Sequence, residues 1–145
     1  MNILQQGYET AVRSKFGIDE DDLPNEELNN PLIIDVAEAI IKKRVPNYAL
    51  INDPIELLFL QNAVISQICY MLCPSMAKRL NLKVSLSDVK LEKEKVDWVA
   101  QANIFAQEIE GYLDKIDSVD VIGVAGSGSL VNKIRNKRKP IGGGR

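Results

Sequence analysis

Histidine is missing from all 145 residues. That removes the commonest general base, the commonest metal ligand and every His-based catalytic triad, and with them most of the case for an enzyme. Cysteine is scarce: Cys69 and Cys73 stand four apart in an apolar stretch. On one helix their Cβ atoms lie about 6 Å apart, too far for a disulfide, so the pair reads as two buried thiols in a reducing compartment. Without further cysteines or a histidine they make no zinc site. Also lacking is a clean run of about 20 apolar residues of the kind that spans a membrane. The most apolar stretch, Ile55 to Leu72, is interrupted by Glu56, Gln61, Asn62, Ser66 and Gln67 and reads as a core helix. Gln5, Gln6 and Glu9 stand where a signal peptide needs an apolar run, so no targeting segment is expected at the start.

What is present is an ordinary globular composition, 46% hydrophobic and 26% charged, at a length suited to one domain with a real core. Charge is unevenly placed. Ser129 to Arg145 holds six of the 18 cations and none of the 20 acids, so the body carries −8 and the tail +6. That asymmetry says more about partners than the net charge of −2.

Apolar spacing and cap signals predict a mainly α fold. The expected architecture is a small bundle of about four helices, with a short β-like step or hairpin and an extended C-terminal arm. Ile3, Leu4, Tyr8, Ala11, Val12 and Phe16 predict a helix over 2–16, ended by Gly17. An acidic loop follows over 17–30, with Asp19, Glu20, Asp21, Asp22, Glu26 and Glu27 around Pro24. Asn30-Pro31 and Asp53-Pro54 are paired start signals, for helices over 31–45 and 54–73. Lys42, Lys43 and Arg44 suit the C-terminal end of the first, before Pro46. The second is apolar on most faces, as a helix is that lies at the centre of a core or is shared between core and subunit interface, and an oligomer is its expected home; Pro74 breaks or kinks it, with room for two further turns over Met76 to Leu82. Val84, Leu86, Val89 and Leu91 alternate with polar residues as a strand does. A last helix, 93–116, carries Trp98, Phe105, Ile109, Tyr112, Leu113 and Ile116 in one stripe, with Ala102 and Ala106 beside it. The chain thus divides into a body, 1–117, a β-like run and Gly/Ser hinge, 118–128, and a basic arm, 129–145.

No reaction follows from the motifs. Gly123 to Ser129 invites a phosphate-loop reading after the run Val119, Val121, Ile122 and Val124. The Walker pattern then needs Lys where Ser129 stands, and the dinucleotide pattern finds Val131 in place of its third glycine. Too little chain remains after Gly128 for a βαβ unit, so a flexible linker is the better reading. Glu92, Glu94, Glu108 and Glu110 read as solvated helix positions. No catalytic residue, cofactor or metal site is assigned. The tail admits three readings: a solvated tail, a strand-backbone contact with nucleic acid, or a docking arm on a partner protein. No aromatic residue follows Tyr112 to stack on bases. Leu130, Val131, Ile134 and Ile141 would anchor a docking arm, and Lys133, Arg135, Lys137, Arg138 and Lys139 would meet acidic groups.

In order, PLIIDVAEAIIKKRV, DPIELLFLQNAVISQICYMLCPSMAKRLN, VSLSDVKLE and KVDWVAQANIFAQEIEGYL resemble the head–tail connector, or adaptor, proteins of tailed bacteriophages. The resemblance spans roughly Pro31 to Ile116 and lies in the order of elements; the acidic stretch 17–30 departs from it. It implies a structural virion protein of the neck, assembled in the host cytoplasm into a ring, commonly of twelve subunits, below the portal protein. Such a ring extends the DNA channel, lets DNA pass without sequence-specific binding, and offers a platform to the next neck or tail protein. The arm 129–145 would then dock on the portal or a neighbouring subunit, with Gly126 to Gly128 as its hinge. A small helical regulator that binds nucleic acid through the same tail is the alternative.

Overall fold

A computed structural model describes residues 3–86 and 97–123, with 79–86 as backbone only. Within them five α-helices follow one another: α1 Tyr8–Phe16, α2 Asn25–Leu28, α3 Pro31–Arg44, α4 Pro54–Leu86 and α5 Trp98–Asp114, with a single 3-10 turn at Tyr48–Leu50 between α3 and α4. No strand occurs among the described residues.

The helix ends follow from local chemistry. Gly17 adopts φ 70°, and the N–H groups of Gly17 and Ile18 close on the carbonyls of Ser14 and Arg13, a Schellman stop. The Asn30 side chain accepts from the Leu32 N–H and Pro31 fills the first turn, as the sequence predicts. Asp53 likewise accepts from the Ile55 N–H ahead of Pro54. Asp97 accepts from both Val99 and Ala100, so α5 starts at Trp98. The expected start near residue 93 lies outside the described residues.

Helix α4 is the centre of the bundle and packs on α1, α3 and, most extensively, α5. Every residue from Ala63 to Cys69 is buried, so nearly two turns are covered on all sides by one chain. Ile55, Leu58 and Tyr70 of the same helix stay exposed, so α4 is central to the core along this stretch and leaves apolar surface outside it. By length and composition Pro54–Lys78 could cross a membrane, yet half of its most apolar window is buried inside this fold. The core is completed by Val12, Ile41 and Val45, by Phe105, Ile109 and Leu113 of α5, and by Ile116 beyond it. Phe16 joins α1 to α5 through edge contacts, its ring centroid 5.8 Å from Trp98 and 5.5 Å from Phe105.

Four expectations need correction. The first helix begins at Tyr8 rather than residue 2, because Gly7 at φ 93° turns the chain and the Glu38 carboxylate takes the Ile3 and Leu4 N–H groups at 2.9 and 2.7 Å. The stretch 17–30 is no plain loop: it contains α2, and Leu23 and Leu28 are fully buried. Pro74 does not end α4. It lies exposed, as does Tyr70, whose carbonyl loses its helical donor and can turn to water. Val84 and Leu86 therefore belong to α4 and not to a strand; Val89 and Leu91 fall outside the described residues.

Candidate interaction surfaces

Two features are available for function: the anchoring of the segment that leads into the tail, and the apolar side chains that the bundle leaves uncovered.

The anchoring is built from carboxylates on α4 and α5. Glu56, buried in the first turn of α4, accepts from the Asp117 N–H at 3.0 Å, the Ser118 N–H at 3.3 Å and the Ser118 hydroxyl. Five residues on, the chain is held again. Arg44, the last residue of α3, donates from Nη1 and Nη2 to the Glu110 carboxylate at 2.6 and 2.9 Å and from Nε to the Ile122 carbonyl at 2.9 Å. The Ile122 N–H returns a bond to the Arg44 carbonyl at 2.7 Å. The run Val119–Ile122, expected to be β-like, is thus an irregular strap on the C-terminal end of α3. It has no second strand to pair with among the described residues. Val124 lies outside them.

Glu108 and Glu110 are not the solvated positions that their spacing suggests. Glu108 accepts from Lys15 Nζ at 2.9 Å and from the fully buried Ser66 hydroxyl at 3.0 Å, tying α1, α4 and α5 together. Burial alone would lower the Lys15 pKa, but the hydrogen bond and charge of Glu108 outweigh it and leave the pKa raised. The signal for these contacts was the polar Ser66 inside an apolar run, which needed a partner once buried.

Cys69 and Cys73 are free and buried, as expected. Burial pushes both thiols up, Cys73 to about 11 and Cys69 further, so neither is a thiolate nucleophile at neutral pH. Among the described residues no group of three Cys, Asp or Glu side chains could hold a metal ion. A shallow open cleft lies between residues 4–9 and α3, lined by Leu4, Gln5, Tyr8, Ile34, Asp35 and Glu38. The Glu38 carboxylate is already engaged there by two backbone N–H groups and by Lys42 at 3.4 Å.

Most of the uncovered apolar side chains lie on three helices, with Leu50 in the 3-10 turn and Ile122 beyond α5 besides. Leu32, Val36 and Ile40 of α3 are 76%, 42% and 37% exposed. Ile55, Leu58 and Tyr70 are exposed on α4, and Val99 and Ile104 on α5. The α3 set recurs every four residues and ends one further step on, at Arg44, so Leu32, Val36, Ile40 and Arg44 form one ridge along the helix. By spacing, Ile33, Val36, Ala37, Ile40 and Ile41 share one face of α3. Only Ala37 and Ile41 of that set are buried, and Ile33 is half-buried.

The proposed docking residues Leu130, Val131, Lys133, Ile134, Arg135, Lys137, Arg138, Lys139 and Ile141 lie outside the described residues, as does the hinge Gly126 to Gly128. Comparison with protein-family models, with curated proteins and with solved structures finds no match to this chain.

Proposed function

We propose that this chain is a structural assembly protein, a head–tail connector that forms a ring below a portal protein and offers a platform to neck or tail proteins. The observation that carries the reading is the surplus of large apolar side chains exposed on α3, α4 and α5 of one small bundle. A ring needs two different patches on each subunit, each complementary to the other, and uncovered apolar residues on separate helices supply the material for them. The order of the described helices supports the same reading: a proline-started α3, an apolar α4 and a long α5 are the elements on which the resemblance rests. An acidic body suits the wall of a channel through which DNA passes, because it repels phosphate. The role of the arm is to dock on the portal or a neighbouring subunit. Its root is held to the body by Glu56 and Arg44, so whatever the arm grips is gripped at a fixed place on the bundle.

The test combines native mass spectrometry of the full chain, alone and with portal protein, with pull-down of portal by full-length and 129–145-deleted chains. The connector reading expects a ring-sized assembly and a portal interaction that the deletion abolishes. A chain that stays monomeric and ignores portal, but shifts DNA in a strongly salt-dependent way until the tail is removed, would establish the regulator reading instead.

A further inference from the structure

We infer that residues 124–145 dock, within the same chain, along the exposed ridge of α3, and that this ridge is the resting site of the arm. The inference does not depend on the virion reading.

Three observations converge on it. The ridge is an uncovered apolar row, Leu32, Val36 and Ile40, with Arg44 as its fourth member at the same spacing. Arg44 is also the residue that grips the chain just before the arm: its Nε donates to the Ile122 carbonyl and its own carbonyl accepts the Ile122 N–H. The arm therefore starts at one end of the ridge. The helical positions agree. Arg44 lies on the flank of α3 that turns toward α5 through Glu110, and Ile40, Val36 and Leu32 follow round that flank away from the buried Ile41 and Ala37.

Length and charge fit the same path. From Ile40 to Leu32 the ridge rises about 12 Å along the helix. The residues between Ile122 and Leu130 can stretch to about 26 Å, enough to set Leu130, Val131 and Ile134 anywhere on it. Continued toward the N-terminal end of α3, the arm brings Lys133, Arg135, Lys137, Arg138 and Lys139 toward the acidic stretch that immediately precedes that helix. There Asp19, Glu20, Asp21 and Glu26 are exposed. Apolar side chains thus meet apolar side chains, and the +6 segment meets the most acidic part of the chain. Tethering at Ile122 gives the arm a local concentration in the millimolar range beside its own ridge, far above that of a second copy in dilute solution.

The consequence is a competition. Any partner that takes the arm must draw it from the ridge, and the ridge is then free for contact with another subunit. The six cations of the arm make trypsin the probe. In the full-length chain, cleavage after Lys133, Arg135, Lys137 and Arg138 is expected to be slow and independent of protein concentration. Val36→Glu, at an exposed position, is expected to speed it about tenfold because the open population grows. Leu32→Glu, at a more exposed position still, is expected to do the same, and the circular dichroism melt of each variant reports that the bundle is intact. Cleavage equally fast in the wild-type chain and both variants overturns the inference. Protection that appears only as protein concentration rises overturns it as well, and assigns the ridge to the arm of a second copy.

Discussion

Arg44 and Glu110 face each other through a two-pronged contact, 2.6 and 2.9 Å, that joins the end of α3 to α5. The remaining guanidinium nitrogen holds the Ile122 carbonyl, so one side chain fixes both a helix pair and the strap leading to the arm. Lysine offers a point charge and cannot reproduce three donors in one plane. Arg44→Lys is therefore expected to lower the unfolding free energy by about 1–2 kcal/mol. Faster hydrogen exchange at the Ile122 amide should accompany it. An Ile122 amide that exchanges as slowly as before would show that the backbone bond to Arg44 holds the strap without help.

A second contact of this kind sits in the core. Glu108 receives Lys15 and the fully buried Ser66 hydroxyl. Truncating Glu108 leaves a buried hydroxyl and a partly buried ammonium without their acceptor. Glu108→Ala is expected to destabilise the protein by about 2–3 kcal/mol. Combining it with Ser66→Ala and Lys15→Met should recover part of that loss, because unsatisfied polar groups are removed with the acceptor. Urea melts of the single and triple variants measure both steps, and equal midpoints for the two would contradict the account.

Alkaline pH should weaken the fold. The Cys73 thiol moves from an ordinary 9.0 to about 11 on burial, so above pH 9 the unfolded chain gives up a proton that the folded chain keeps. Cys73 alone then costs up to about 1.4 kcal/mol per pH unit as pH rises from 9 to 11, and Cys69, raised further by burial, steepens the decline. The Lys15 pKa is also raised, so its bond to Glu108 is fully present below pH 10.5 and is lost as pH passes the raised value. Cys73→Ala should flatten the decline between pH 9 and 10.5 relative to the wild type. At pH 7.5, alkylation of both cysteines should wait on unfolding. Rapid labelling of the native chain by iodoacetamide would contradict the burial of these thiols.

The parts of the fold legible in the sequence were those with a local cause. Asn30-Pro31, Asp53-Pro54 and Gly17 mark real helix ends because each acts on backbone groups within a turn or so of itself. The stripe of α5 was legible too, since Phe105, Ile109 and Leu113 repeat at helical spacing and are buried. The rest of the fold depends on distant partners. Nothing local says that Glu38 will capture the amides of Ile3 and Leu4, 35 and 34 residues away, or that Arg44 will meet Ile122. The ridge of α3 was hidden for the opposite reason. Val36 and Ile40 fit an apolar face by spacing, and periodicity gives the width of a stripe but not how much of it a neighbour covers.

Two residues of the long helices work against helix formation, and their replacement separates intrinsic preference from packing. Gly111 lies in α5, exposed, with nothing within 4 Å of the place a Cβ would occupy. Gly111→Ala should raise stability by about 1 kcal/mol, the ordinary gain of alanine in a helix interior. Pro74 lies inside α4, also exposed, and deprives the Tyr70 carbonyl of its donor. Alanine restores that bond and relieves the ring against the preceding turn, a difference of up to about 3 kcal/mol in an unconstrained helix. Core residues Leu72, Cys73 and Met76 are buried on either side of Pro74 in the geometry that proline sets. Any change in local helix geometry on losing the ring would shift them, so the net gain from Pro74→Ala is expected to be smaller, about 1 kcal/mol. Thermal melts of the two single variants and the double variant decide between these terms. The sites are far apart in sequence and on different helices, so their effects should add within about 0.5 kcal/mol. Destabilisation by Pro74→Ala would mean that the backbone geometry proline imposes there is required by the packing of α4.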